Sequence, residues 1–135
     1  MKPASLFVVA ASAMLSAIGA ASASDLKDQM KVEIRSSEEH AGMPAGTYIC
    51  AAGHLHVKAS VQNLADVPVG AVKVAGKALD AEGKVVGTAT ASTRQREIGP
   101  KESAPLDMEF ESITGPLIKQ VKSEQLSVVS VGPKP

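Results

Sequence analysis

An all-β domain, built as an antiparallel sandwich, is the fold this sequence predicts, and three observations carry the prediction. Short runs alternate apolar and polar residues, the period of a strand with one buried face. Pro, Gly, Asn and Asp separate those runs, where the chain must turn. No stretch of the domain sustains a long helical period, so there is nothing to alternate with the strands as crossover helices would.

The first 23 residues stand outside that pattern. Met1 and Lys2 precede an uncharged, Ala-rich apolar run through Leu6, Phe7, Val8, Val9, Met14, Leu15 and Ile18. Ala21, Ser22 and Ala23 then form the small-residue triplet that a signal peptidase accepts, just before the charged residues Asp25, Lys27 and Asp28. Residues 1–23 are therefore expected to be a signal peptide and 24–135 a single domain, periplasmic or secreted, with no membrane span after cleavage. An uncleaved anchor is the competing reading, and the cleavage triplet and single positive charge weigh against it. A lipid-bearing cysteine at the cleavage point is excluded, because the only cysteine is Cys50.

The 112 residues that remain suffice for one core and not comfortably for two. Without Lys2 they carry 13 basic against 14 acidic residues, a balance with no electrostatic footprint for nucleic acid or an anionic membrane. Their only aromatics are Tyr48 and Phe110, too few for recognition by stacking on sugars or bases. A lone cysteine in an oxidising compartment makes no internal disulfide, so packing must hold the fold, and Cys50 is buried, a ligand, or paired with another chain.

Taken in chain order, Val32 and Ile34 predict a strand over 31–35, although Leu26 and Met30 also fit one helical turn. Ser36 to Gly46, charged and rich in small residues, is expected to be an exposed loop. A short strand follows at Tyr48 and Ile49. His54 to Gln62 is the clearest element, with Leu55, Val57, Ala59 and Val61 on one face and His54, His56, Lys58, Ser60 and Gln62 on the other. Asn63 to Pro68 is a turn, and Val72 and Val74 open the next strand. Leu79 to Val86 reads as a hairpin, flanked by strands, in which Gly83 supplies a positive φ. Gly87 to Ser92 is weakly apolar. After a loop at Ile98 to Pro100, Leu106, Met108 and Phe110 alternate with an acidic face of Asp107, Glu109 and Glu111. Gly115 and Pro116 end that strand, Leu117, Ile118 and Val121 suit one helical turn, and Leu126 to Val131 is expected to be a mostly buried final strand.

From Leu55 to Phe110 the order of strand, Asn63 turn, strand, Asp80-x-x-Gly83, Val85-Val86, Ile98-x-Pro100 and strand resembles the FxLYD-type bacterial domains. The positions matching their eponymous motif read Gly76, Lys77, Ala78, Leu79 and Asp80, without its Phe and Tyr. The resemblance implies an immunoglobulin-like antiparallel sandwich on an exported protein, and no catalytic residues.

Residues able to perform chemistry crowd into one span: His40, Met43, Cys50, His54 and His56. The i, i+2 spacing puts His54 and His56 on one strand face, where two imidazoles can reach one ion, and Cys50, His40 or Met43 could complete a site. Soft Cys and Met ligands would favour copper; zinc is favoured if Met43 is a bystander. The plainer alternative makes both histidines polar residues on a wet face, with Cys50 a small buried hydrophobe. A blue-copper centre is disfavoured because no His or Cys follows His56. No Gly-x-Ser-x-Gly elbow or phosphate loop is present, and Arg94 and Arg96 read as a solvated hairpin end.

The chain is therefore expected to be a non-enzymatic accessory or protein-interaction module of the cell envelope, with no cofactor. The alternative is a periplasmic copper- or zinc-binding protein using the His40 to His56 segment. Mass-spectrometric sequencing of exported protein should find Ser24 at the N-terminus; an intact Met1 would contradict the leader assignment.

Overall fold

The computed structural model describes residues 26–35 and 43–134. The expected leader and cleavage point and the segment containing His40 lie outside the described residues. Seven strands form two antiparallel sheets, so the chain is an all-β sandwich. They are β1 (Met30–Ile34), β2 (Thr47–Ile49), β3 (His54–Asn63), β4 (Val72–Leu79), β5 (Val85–Ser92), β6 (Ser103–Thr114) and β7 (Ser123–Val131), with a 3-10 helix at Gly115–Gln120. No helix among the described residues is long and apolar enough to cross a membrane.

Strand β3 organises the first sheet. Its strict alternation buries Leu55, Val57, Ala59 and Val61 completely and leaves the residues between them half-exposed. Strand β6 pairs along one side of it, while β1 and β2 share the other, β1 against the C-terminal half and β2 against the N-terminal half. The handover is at Lys58, whose carbonyl accepts from Arg35 and whose amide donates to Gly46. In the second sheet β4 is central, flanked by β5 and β7. The predicted hairpin joins β4 to β5: Gly83 has φ +83°, and Asp80 Oδ1 accepts from the amides of Glu82 and Lys84 at 2.9 and 2.8 Å.

The core between the sheets is aliphatic apart from Met30 and the fully buried Phe110 and Met108. Gly76 makes room for it, because a Cβ there would stand 2.3 Å from Met108 Sδ. At one end Asn63, also fully buried, ties two loops to the sheet. Its Oδ1 accepts from Ala65 at 2.9 Å, the local turn bond its residue type favours, and its Nδ2 donates to the carbonyls of Val67 and Ile98.

One expectation needs correction. The last strand begins at Ser123, earlier than Leu126, and is not mostly buried: Leu126 and Val128 are half-buried, Val129 is 44% exposed, and of its valines only Val131 is buried. The reason is position, since β7 is an edge of a three-stranded sheet and has a neighbour on one side only. The strand expected after the hairpin is β5, and the weakly apolar run Gly87 to Ser92 is its body, at the other edge of the same sheet.

A carboxylate also turns toward this apolar setting. Glu124 lies opposite Ala78 on β7, and its buried Oε2 has no hydrogen-bond partner. Burial pushes its carboxyl up to about 7 from the usual 4.5. A folded-state value above the unfolded one means stability is fully present below about pH 4.5 and is lost as pH rises through 7. Glu124→Gln should therefore stabilise the domain by about 1 to 2 kcal/mol at pH 8, allowing for the group's residual solvent contact, and hardly at all at pH 4. Urea unfolding at both values checks this, and an equal gain at the two would contradict it. Phe110→Ala should cost about 3 to 5 kcal/mol in the same assay at neutral pH, a large share of an ordinary domain's stability.

Candidate metal centre

The outward face of the first sheet gathers the chemistry-bearing side chains. The β3–β6 register sets His56 opposite Glu109 and Lys58 opposite Asp107, and the β2–β3 register sets Tyr48 opposite His56 on the other flank. Side chains directly opposed on one face of antiparallel strands are within reach of one another. The basic outer residues of β3 thus meet the acidic outer face of β6.

His56 is the hub. Its side chain is only 13% exposed, although it belongs to the wet face, because Tyr48 stacks on it with ring centroids 4.8 Å apart. Its Nδ1 donates to Asp107 Oδ1 at 2.7 Å, and the Tyr48 hydroxyl donates to the other oxygen of the same carboxylate. Asp107 therefore holds the imidazole in place and assigns its tautomer. The other ring nitrogen, Nε2, is buried and makes no hydrogen bond among the described residues, and it lies 4.0 Å from Glu109 Oε2. A buried polar atom without a partner is costly in an otherwise satisfied network.

Cys50 follows β2 and opens the turn into β3. Its amide donates to the His54 carbonyl at 3.0 Å, and its carbonyl accepts from Gly53, which has φ +86°. This turn carries the half-exposed thiol back to the same place: ligand atoms of Cys50, His56 and Glu109 lie within 4.8 Å of one another. The His54 amide, with smaller help from Ala52 and His56, holds the Cys50 thiol below its ordinary value against the opposing effect of burial. Burial pulls His56 down more than any single influence, but Asp107 and Cys50 together outweigh it and raise it.

The residues singled out from the sequence thus separate. Cys50 and His56 come together. His54 stands beside them and pairs through Nδ1 with Glu109, so it holds that carboxylate and is not in the converging group. Met43 is half-buried and packs against the hydrophobic core. His40 lies outside the described residues. Asp107 and Glu109, which sequence reasoning left as an acidic outer face, are integral. The signal that could have found them is the complementarity of two alternating strands, one with His, His and Lys outward and the other with Asp and Glu.

Chemically, a thiolate, an imidazole nitrogen and a carboxylate oxygen are the donor types that zinc accepts. The Asp107–His56 pair adds the carboxylate that commonly orients a ligating histidine from behind. Thiol, imidazole and carboxylate in series could also activate a nucleophile, but that arrangement needs nothing at the position Glu109 occupies.

No family model matches the chain, and no curated protein sequence matches it. Among solved structures, that of IrmA from Escherichia coli is similar over 76% of this chain and 85% of its own, with a TM-score of 0.51 and 15% sequence identity. At that identity the likeness concerns the β-rich fold alone.

Proposed function

We propose that this protein is an exported β-sandwich that binds a zinc ion through Cys50, His56 and Glu109. The observation that carries the reading is the buried, unpartnered Nε2 of His56, fixed from behind by Asp107 and facing a thiol and a carboxylate. An imidazole held in that tautomer presents a lone pair, and a cation would satisfy it together with Cys50 and Glu109. Zinc is favoured over copper because Met43 packs on the core and the third donor is a hard carboxylate. Export is supported by the leader-like pattern of residues 1–23.

Calorimetric titration of zinc into the mature protein tests the reading. Saturable one-to-one binding is expected, weakened at least tenfold by Cys50→Ser, His56→Ala or Glu109→Gln. Asp107→Asn should weaken it by about 10- to 100-fold without removing a donor. His54→Ala should cost only a few-fold. Equal losses for His54→Ala and His56→Ala, or heats no different from those of a variant with both histidines changed to Ala, would overturn the site and favour the protein-interaction reading.

A further inference from the structure

On the Asp107 side of His56, away from the proposed zinc donors, the same sheet face opens into a groove of about 350 Å³. Three cationic side chains from separate parts of the chain line it: Arg35 from the end of β1, Lys58 from the middle of β3 and Arg94 from the turn after β5. The chain as a whole is balanced, with 14 basic and 14 acidic residues, so this convergence is not a reflection of composition. Among the described residues Asp107 is the single carboxylate lining the groove, and both its oxygens are already engaged, by Tyr48 and by His56. The Lys58 ammonium lies 5.1 Å from the centroid of the Tyr48 ring. Arg35 and Arg94, both exposed, form no ion pair with any other described residue.

We infer that this groove binds a small organic oxyanion, a carboxylate or phosphate monoester, between the guanidinium groups of Arg35 and Arg94. Guanidinium forks match the paired oxygens of either group, and two of them lining one groove select for an anion that presents its oxygens to both. The groove exceeds the size of a bare inorganic ion, and Pro105 adds an apolar surface beside the cations, so the ligand carries a short apolar portion as well as its charge. The inference is independent of the zinc reading, since none of the three zinc donors lines the groove.

The test is titration of the zinc-free mature protein with phenyl phosphate, benzoate and inorganic phosphate at low ionic strength, followed by amide chemical shifts. Saturable binding of at least one of the two organic anions is expected, tighter than that of inorganic phosphate, with shifts centred on Arg35, Lys58, Arg94 and Asp107. Which of the two binds tighter tells a phosphate ester from a carboxylate. Arg35→Gln and Arg94→Gln should each weaken it at least fivefold, whereas Arg96→Gln, which removes the same charge two residues away, should leave it unchanged. Absence of saturable binding, or an equal loss for Arg94→Gln and Arg96→Gln, would overturn the inference.

Discussion

The register between β3 and β6 is the constraint on which the rest of this molecule depends. Nine residue pairs join the two strands, and strict alternation sends one set of side chains into the core and the other onto the sheet surface. A slip by one residue would set the apolar residues of one strand on the face of the other's polar ones, bringing Leu55 and Val57, or else Leu106 and Met108, out to water and turning His56, or else Asp107, into the aliphatic interior. Core and candidate site are therefore two faces of a single pairing. The burial of the apolar face holds the imidazole and the carboxylates in contact, and no disulfide is needed to do so.

The pairing is not uniform. Between His54 and Leu55 the register shifts, so that Leu55 faces Phe110 while His54 faces Thr114. The extra residues of β6 include Ile113, which is fully buried and which Gly87 on β5 leaves room for. Such a bulge bends a strand and re-aims its side chains. Here it lies beside the cluster, and Glu109 reaches His54 from the diagonal position as well as facing His56. Immediately upstream, the turn from Cys50 to Gly53 returns the thiol to this end of β3, which makes a local turn and a long-range pairing meet at one point.

Much of the fold was legible because its signals are local. The alternation of Leu55 to Val61 and of Leu106 to Phe110, the Asp80–Gly83 hairpin and the Asn63 turn each follow from residues a few positions apart. The depth of β7 was misjudged because Val128, Val129 and Val131 look like a buried run, and burial depends on how many strands cover them, which no local pattern states. For the site, the strand period alone put His54 and His56 on one face. It could not say that His56 is the hub and His54 an auxiliary, nor that Glu109 and Asp107 belong with them. Those residues lie more than fifty positions away, and only the pairing of β3 with β6 brings them close.

The same physics explains why the wet face of an edge-rich sandwich can hold a partly dehydrated imidazole. Tyr48 covers one side of His56, Asp107 satisfies one nitrogen, and the other is left facing sulfur and carboxylate. The most direct measurement is the X-ray absorption spectrum of the zinc-loaded mature protein. The account predicts one sulfur at about 2.3 Å with nitrogen and oxygen neighbours at about 2.0 to 2.2 Å, the sulfur vanishing in Cys50→Ser. A first shell of oxygen and nitrogen alone in the unaltered protein would contradict it.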